Sequence, residues 1–484
     1  MFSKKILFKI IFIFITIFIV INILFTYNKI SSKLINHLVS QETKNQIKKY
    51  IFPYKYINQI ESFNKLLVSE LETRKFELKE LREILSQKDV FLSSIPNKIG
   101  FGEFYQSSTK SLEVNGLNFS FLEFKEDFLE VKKATGAKSG SIYAEKIDDK
   151  VIILSGNGYF QYFYLDDLNK SKFKTQIIKS NIKELVNYEE FFSNSKYGVK
   201  DLFIMKNKVY FSYIRKIDKN CFNTSVLRAD LNFEKLIFED FFVPKECISS
   251  NNDWFQPHSS GGRMTKFKDK FLLSIGEYLD RNKAQNPKSI FGKIVVLDPN
   301  NKNNYNLISI GHRNVQGLVY DDLNKAIIST EHGPKGGDEI NINLDLEKKL
   351  NNYGWPISSY GEHYSPTPVS YEKFPLYKSH SKYGFKEPIK YFTPSIGISQ
   401  IIKIDGNLMK NENNNFLLGA LGNDPSEGDM SLHYVEISKN YKEVVNHEII
   451  NINSRVRDII LLDKKNILCV FETNSTLGLL KFKN

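Results

Sequence analysis

Short apolar runs, each preceded by a polar turn rich in Lys, Asn or Asp, recur through most of the chain. They lie in DDKVIIL, KNKVYFSYI, KDKFLLSIG, LNKAIIST, NNNFLLGAL and KKNILCVF, which begin at residues 148, 206, 268, 323, 413 and 464. Apolar runs bounded by turn residues are typical of strands. Their spacing of roughly 50 to 60 residues, with one interval of about 90, favours radial repetition of a four-stranded unit. The pattern predicts an all-β fold, a six-bladed β-propeller over residues 135–484, with a large β-sandwich as the competing architecture.

The first thirty residues carry a different pattern. After Lys4 and Lys5, a run of about 22 largely apolar residues, charged only at Lys9, is long enough to cross a bilayer as a helix. Because lysines precede the run, the N-terminus is expected in the cytoplasm and the rest of the chain on the periplasmic or extracellular side. Residues 1–30 are therefore predicted to form a cytoplasmic tip and a transmembrane anchor, with a cleaved signal peptide as the alternative.

Residues 31–95 are predicted to form a helical stalk, interrupted at Pro53. Leucines at positions 67, 71, 78, 81 and 85 follow a spacing of roughly 3.5 residues. Such a short seam either forms a coiled coil between the protomers of a homo-oligomer or packs on the following domain. Residues 96–134 are left as an unassigned edge segment, for which an extra strand pair at the domain edge is one option.

The chain has 484 residues, of which 41% are apolar and 25% charged, so it can bury a large core. Its formal charge of +12 comes from dispersed lysines rather than from a basic run interleaved with aromatics, which argues against nucleic acid as a partner. Cys469 lies in an apolar run and is predicted to be a buried thiol. Cys221 and Cys247 flank a hairpin and could form a disulfide in an oxidising compartment, which the sequence leaves open.

Polar, glycine and aromatic residues concentrate between residues 311 and 364. Arg313 offers a fork of donors suited to a carboxylate or a quinone carbonyl, and Asn314 beside it can both donate and accept. The turn GPKGGDE, which begins at residue 333, can aim carbonyl and carboxylate oxygens at one point, as Ca²⁺ prefers. Arg455 and Arg457 are two residues apart at the start of a predicted strand, so their side chains share one face.

Together and in this order, these motifs resemble the soluble glucose dehydrogenase / sorbosone dehydrogenase family, which includes aldose sugar dehydrogenases that depend on pyrroloquinoline quinone (PQQ). The matching segments are GHRNVQGL, EHGPKGGDEIN, NYGWP, YGEHY, EPIKYFTPSIGIS and SRVRDI, with weaker matches in HSSGGRM and FLLSIGE. The resemblance covers roughly residues 135–484. It implies a six-bladed propeller with PQQ and Ca²⁺ in a central pocket.

The resemblance also implies roles for individual residues. Those expected to contact the quinone or hold its carboxylates are Arg313, Asn314, Tyr364, Arg455 and Arg457. The expected Ca²⁺ ligands are Gly333, Pro334, Glu339 and Tyr353, the first two through their carbonyls. His258 would be the general base that takes the proton of the sugar's anomeric hydroxyl, a role suited to an imidazole. His312 and His332 are interpreted as structural.

Some positions depart from the family pattern. His258 precedes Arg263 by five residues where the family has four, which could shift the base. Tyr197 stands where the family has a cofactor-binding Gln, and Gly422-Asn423 stands where some members have a cofactor-binding Lys. The leading hypothesis is a membrane-anchored enzyme that uses PQQ and Ca²⁺ to oxidise an aldose at an extracytoplasmic face, with an unspecified electron acceptor. The alternative is a catalytically inactive, calcium-stabilised propeller that binds a carbohydrate or protein partner.

Overall fold

The computed structural model describes residues 15–17, 40, 42, 43, 46, 53–94, 103–126, 142–155, 158–186, 198–252, 255–346, 350–364, 373–472 and 477–482. The chain divides into two compact units, Met1–Ile99 and Gly100–Asn484. The first unit contains helix α1, Pro53–Ser94, which has 42 residues. A proline suits the start of a helix, because the N–H groups of the first turn have no partner within it. Leucines 67, 71, 78 and 81 of the predicted seam are exposed, and their role in a homo-oligomer stays a prediction.

The predicted membrane anchor falls in residues 1–30, which lie outside the described residues except for 15–17. In the part of the chain that the structure describes, no helix is both long and apolar enough to cross a bilayer. The prediction of a single-pass protein with a cytoplasmic N-terminus and a periplasmic or extracellular domain is therefore contradicted. Helix α1 has sufficient length, but charged residues recur along all of it.

The second unit is a ring of six β-sheets, called blades 1 to 6 in the order of their innermost strands. Blade 1 contains Ile142–Ile147, Lys150–Ser155, Phe160–Tyr164, Gln176–Ser180 and Lys235–Leu236. Blade 2 contains Val199–Met205, Lys208–Asp218, Cys221–Asp230, Glu239–Phe242 and Ile248–Ser249. Blade 3 contains Gly261–Phe267, Lys270–Ile275, Lys293–Leu297, Tyr305–Ile310 and Asn351–Asn352. In each blade the first strand named is the innermost.

The remaining blades follow the same plan. Blade 4 contains Val315–Asp321, Ala326–Glu331, Asp338–Asn343 and Lys390–Phe392. Blade 5 contains Ile398–Ile404, Asn414–Ala420, Ser431–Ile437 and Val444–Asn451. Blade 6 contains Val456–Leu461, Asn466–Phe471, Leu477–Phe482, Leu117–Glu126, Glu103–Val114 and Lys172–Lys174. Short helical segments occur at Leu165–Asn169, Ile182–Leu185, Pro257–Ser259, Arg281–Ala284, Ser381–Tyr383, Gly406–Met409 and Pro425–Glu427.

The ring is closed by both ends of the propeller sequence. Strand Leu117–Glu126 pairs antiparallel with Leu477–Phe482, so Phe121 lies opposite Leu480. The segment that the sequence left unassigned thus supplies two strands of blade 6. Every innermost strand contacts the innermost strands on both sides of it, from blade 1 round to blade 6 and back. The prediction of a six-bladed propeller is confirmed, and the sandwich alternative is excluded.

The core lies between the blades. The recurring apolar runs of the sequence are the second strands of the six blades, and they are buried on both faces because each blade is covered by its two neighbours. Between blades 2 and 3, for example, the rings of Tyr210 and Phe271 lie with centroids 4.9 Å apart. Burial of such a side chain contributes about 1.5–3 kcal/mol, so the interfaces between blades hold the ring together.

The innermost strands share an irregularity near their first residues. In blades 2 to 6 the pairing with the second strand shifts register there, and the residues at the shift are Lys200, Gly262, Arg263, Gln316, Ser399, Gln400 and Arg457. A β-bulge leaves its extra residue outside the ladder and re-aims its side chain. The bulges therefore place a set of mostly polar residues around the propeller axis.

Blade 2 contains the disulfide that the sequence left open. Cys221 and Cys247 are bonded, with their Cα atoms 5.4 Å apart. Cys469 is buried in the second strand of blade 6, as predicted, and burial raises the pKa of its thiol.

Candidate functional site

A cavity of about 380 Å³ opens where the innermost strands of blades 3, 4 and 5 begin. It is lined by Gln256, His258, Ser259, Arg313, Asn314, His332, Gly333, Asp338, Tyr364, Ser395 and Gly397. This volume is in the range of small-molecule sites. The structure thus brings together five of the residues singled out in the sequence, namely His258, Arg313, Asn314, Gly333 and Tyr364.

His258 lies in the short helical segment that precedes the innermost strand of blade 3, and its side chain is exposed to the cavity. The adjacent Asn314 holds this segment. Its Nδ2 donates to the carbonyl of His258 at 3.2 Å, and its Oδ1 accepts from the backbone N–H of Gly261 at 3.0 Å. The five-residue spacing between His258 and Arg263 therefore does not remove His258 from the cavity.

Arg313 is buried at the border of the cavity. Its Nη1 donates to the carbonyl of His332 at 3.1 Å, and its guanidinium lies 5.5 Å from the ring centre of Trp355. Its Nε is buried without a hydrogen-bond partner among the described residues. Glu331 accepts a hydrogen bond from the backbone N–H of Arg313 and contacts Nδ1 of the fully buried His312 at 2.8 Å. His312 therefore orients Glu331, whereas His332 faces the cavity.

Arg455 and Arg457 do not line this cavity. Both contact Glu472, whose Oε2 lies 3.2 Å from Nη2 of Arg455 and 3.0 Å from Nη2 of Arg457. Nη1 of Arg457 donates to Oε1 of Gln316 at 3.1 Å, and Nε2 of Gln316 donates to Oδ1 of Asn314 at 2.9 Å. A chain of hydrogen bonds thus runs from the arginine pair to the loop that carries His258.

A buried ionic cluster around Arg263 connects blades 2, 3, 4 and 6. Nη1 of Arg263 lies 2.7 Å from Asp201 and 2.9 Å from Asp458, and all three side chains are at most 3% exposed. Nε of Arg263 donates to the carbonyl of Gln316 at 2.9 Å, and Nη2 donates to the carbonyl of Arg457 at 3.3 Å. Arg263 is therefore a scaffold residue that fixes the strands from which Gln316 and Arg457 project.

A second, much smaller cavity of about 10 Å³ shares Arg313, His332 and Gly333 with the first. Glu339 and Tyr353 line it, and Pro334 lies in the adjoining turn. His380 connects the two predicted ligands, because its Nδ1 contacts the carbonyl of Tyr353 at 2.9 Å and its Nε2 lies 3.3 Å from Glu339. Burial lowers the pKa of His380, but the hydrogen bond and charge of Glu339 outweigh this effect, so the pKa is raised overall.

Two of the positions that depart from the family pattern are Tyr197 and Gly422-Asn423, and the structure describes only the second. Tyr197 lies outside the described residues. The carbonyl of Gly422 and Oδ1 of Asn423 accept hydrogen bonds from Nη1 of Arg455 at 3.4 and 3.0 Å. A Cβ at Gly422 would lie 1.9 Å from the carboxylate of Asp429, so no side chain fits at that position without rearrangement.

Several residues of the site were not anticipated. Gln316 lies inside the motif GHRNVQGL, so its place in that motif was an available signal. Glu472 lies outside all the matched motifs. Glu277, in FLLSIGE, is fully buried behind Arg313, and burial raises the pKa of its carboxyl to about 7 although Arg313 and Arg281 lower it.

Fold and site together define a six-bladed propeller whose cavity is bordered by the exposed imidazole of His258 and the buried guanidinium of Arg313. A model of the family described as glucose / sorbosone dehydrogenase matches residues 174–480, and the chain belongs to this family.

Individual relatives are distant. Aldose sugar dehydrogenase YliI of Escherichia coli is 27% identical over 45% of this chain and 59% of its own length. An uncharacterised protein of Synechocystis is 27% identical over 57% of this chain and 68% of its own length. The crystal structure of the soluble aldose sugar dehydrogenase of Escherichia coli, in its apo form, aligns with a TM-score of 0.54 at 21% identity, over 71% of this chain and 96% of that one. A PQQ-bound aldose sugar dehydrogenase from Streptomyces coelicolor aligns with a TM-score of 0.50 at 16% identity, over 80% and 99% of the two chains.

Proposed function

We propose that this protein is a PQQ-dependent sugar dehydrogenase that oxidises an aldose with the help of Ca²⁺. The observation that carries the proposal is the convergence of His258 and Arg313 on one cavity, although they are 55 residues apart in sequence and lie in different connections, the first before the innermost strand of blade 3 and the second between blades 3 and 4. Family membership and the relatives named aldose sugar dehydrogenase support it.

The donors around the cavity fit an anionic quinone. Within the described residues, Nε of Arg313 and Nε2 of His332 at the cavity are buried without a hydrogen-bond partner, and so is Nε of Arg457 outside it. Buried donors of this kind are costly unless a ligand satisfies them. The residues that would hold the quinone are Arg313, Asn314, Tyr364, Arg455 and Arg457. Asn314 would act mainly through the His258 loop, because its side-chain groups already bond that loop and Gln316.

The smaller cavity fits one cation in size and in donor chemistry. About 10 Å³ is the space of a single water or ion, and the buried carboxylates of Glu331 and Glu339 face it. The residues that would hold Ca²⁺ are Gly333, Pro334, Glu339 and Tyr353. When bound, Ca²⁺ would polarise the quinone, and the quinone would accept the hydride from the sugar.

The protein's own contribution is to bind and orient the sugar and to move one proton. An imidazole nitrogen of His258 would accept the proton of the sugar's anomeric hydroxyl, because the ring is exposed to the cavity and histidine titrates near neutral pH. Asn314 would keep the ring in place through the backbone of its segment. Tyr364, which is 68% exposed at the rim, would cover one side of the ligand.

A second function is favoured by one observation. Gly422-Asn423 replaces a cofactor-binding lysine and contacts Arg455 instead, which lowers the positive charge available to a quinone. A propeller that binds a carbohydrate or protein partner without catalysis would tolerate this loss.

The two functions are distinguished by reconstitution. The purified chain is incubated with PQQ and Ca²⁺, and the reduction of an artificial electron acceptor is measured across a panel of aldoses. The proposed enzyme should show a bound-cofactor spectrum and sugar-dependent turnover. Neither signal with any sugar would leave the non-catalytic function.

Calcium binding has its own test. Ca²⁺ should raise the melting temperature of the wild-type protein, because a ligand stabilises the state that it binds. Glu339→Ala should remove most of this increase, since it deletes a buried carboxylate of the small cavity. An equal increase in the variant would refute the assignment of Glu339.

A further inference from the structure

Glu472 is the only carboxylate that the described residues place in ion-pair contact with both Arg455 and Arg457. It follows the second strand of blade 6, where its backbone N–H donates to the carbonyl of Arg455 at 2.9 Å. Its side chain is 7% exposed, whereas those of Arg455 and Arg457 are 21% and 13% exposed. The side chain of Glu472 is therefore more buried than that of either arginine.

This contact changes what the arginine pair can offer a ligand. The Nη2 groups of both residues already face Glu472, and their Nη1 groups face Asn423 and Gln316. One carboxylate beside two guanidinium groups leaves a net charge of +1. An incoming carboxylate meets half the charge of a free arginine pair and must compete for the same donors.

Two neighbouring positions in the described part of the chain, Gly422 and Lys200, do not restore the lost charge. Gly422 has no room for a side chain, because a Cβ there would collide with Asp429. Lys200 lies close enough to Arg457 and Glu472 to sense their charges, but burial and then Arg457 lower its pKa to about 7, so much of its charge is lost near neutral pH. The balance of charge at the arginine pair is therefore set mainly by Glu472.

We propose that Glu472 is a specificity-determining residue: it occupies the arginine pair as a resident anion and weakens the binding of polycarboxylate ligands there. The proposal rests on the proposed function, in which the arginine pair faces the carboxylates of the quinone. It predicts that the wild-type chain binds PQQ more weakly than an otherwise identical chain without the Glu472 charge.

The test compares the full-length wild-type chain with Glu472→Gln, which keeps the size of the side chain and one acceptor oxygen but removes the charge. Two probes are titrated by calorimetry: PQQ, and citrate as a tricarboxylate without a quinone. Both dissociation constants should be about tenfold lower in the variant, because an adjacent like charge has been removed. An unchanged or higher constant for either probe that binds overturns the proposal.

The two probes separate this proposal from the proposed function. Tighter citrate binding by Glu472→Gln, with no PQQ binding by either protein, supports the role of Glu472 and contradicts the quinone enzyme. Equal PQQ binding by both proteins contradicts the role of Glu472 and leaves the quinone enzyme standing.

Glu246→Gln is the matched control, because Glu246 also pairs with a cation, Lys283 at 2.8 Å, and both side chains are partly exposed, but Glu246 does not line the cavity. It should change neither dissociation constant. Asn423→Lys tests the same idea without touching the buried carboxylate, since Asn423 is exposed and contacts Arg455. The added cation should lower both constants several-fold, and this variant decides the question if Glu472→Gln does not fold. No change with Asn423→Lys, or an equal change with Glu246→Gln, overturns the proposal.

Discussion

Two groups of arginines border the propeller axis, and they differ in how their charge is used. Arg313, between blades 3 and 4, is 6% exposed, lines the cavity beside His258 and keeps a buried Nε without a partner among the described residues. Arg455 and Arg457, in blade 6, share the carboxylate of Glu472 and do not line the cavity. Arg313 thus keeps a donor for a ligand, whereas the charge of the pair Arg455 and Arg457 is partly neutralised by Glu472.

The difference lies in the neighbouring carboxylates. Glu277 is a fully buried acid behind Arg313, and its raised pKa of about 7, caused by burial, lets it lose its charge near neutral pH. At the arginine pair, Glu472 makes direct contacts at 3.0 and 3.2 Å. An ionised carboxylate in contact with a guanidinium offsets part of its charge and so weakens its attraction for an external anion. The side of Arg313 is therefore expected to dominate ligand binding, and the following predictions test this contrast.

The largest effect is expected from His258→Ala, which removes the predicted base from the side of Arg313. Turnover of the reconstituted protein should fall roughly 10²- to 10⁴-fold, because positioned proton transfer typically contributes that much. Affinity for PQQ, measured by calorimetry, should stay nearly unchanged and serves as the internal control. Wild-type turnover in the variant would remove His258 from the chemistry.

Arg263→Ala removes the guanidinium that holds the strands of Gln316 and Arg457 in place. It leaves Asp201 and Asp458 buried without their common cation, which should destabilise the protein by about 3–5 kcal/mol in urea unfolding. Lys302→Ala is the control, because it breaks an exposed ion pair. The side chain of Lys302 is 44% exposed and that of its partner Glu239 is 51% exposed. That change should cost at most about 1 kcal/mol. Equal losses in both variants would show that the axial cluster is not a structural support.

The sequence predicted the six-bladed ring better than it predicted the different surroundings of Arg313 and the arginine pair. The second strands of the blades are continuous apolar runs, so their repeat was visible and gave the six blades. Half of the residues of strand Glu103–Val114 are exposed and two are buried, so its pairing into blade 6 carried little hydrophobic signal. The bulges that aim Gln316 and Arg457 toward the axis break the strand alternation on which such predictions rest.

The contacts of the site were harder still to foresee. Gln316 and Arg457 are 141 residues apart, and only the closed ring brings them within 3.1 Å. Glu472 is a single acidic residue after an apolar run, so nothing in its local sequence distinguishes it from a solvated charge. The motifs located Arg313, Asn314 and His258, but the internal anion of the arginine pair depends on tertiary structure.

Glu277→Gln examines the carboxyl behind Arg313. Because the folded pKa of Glu277, about 7, lies above its ordinary value near 4.5, the folded state holds a proton that the unfolded chain releases. The stability of the wild-type protein should therefore fall as the pH rises from about 4.5 to about 7, by an amount on the order of 2 kcal/mol. The variant, which cannot ionise, should lack this slope in urea unfolding measured at several pH values.

Glu246→Gln is the control of opposite sign. Burial raises the pKa of Glu246, but hydrogen bonds from Lys283, Ile290 and Ser289 outweigh this and lower it overall. Its contribution to stability is present at neutral pH and is lost as the pH falls through the lowered pKa, so the variant should lose stability near neutral pH and little at acid pH. The same pH slope in wild type and Glu277→Gln would show that Glu277 is ionised throughout and shields Arg313 as Glu472 shields its pair.

The smallest expected effect concerns Gln316, which connects Arg457 of the arginine pair with Asn314 beside the His258 loop. Gln316→Ala removes the hydrogen bonds to Arg457 and Asn314, each of which contributes about 1 kcal/mol. If the arginine pair acts on the His258 loop through this link, the variant should raise the dissociation constant for PQQ and lower turnover, each several-fold. The double variant with Asn314→Ala should then show less than the sum of the two single losses, since both residues belong to one chain of hydrogen bonds. Additive losses would mean that the arginine pair and the His258 loop act independently. Arg313 and the arginine pair would then differ only in the charge that their neighbouring carboxylates leave them.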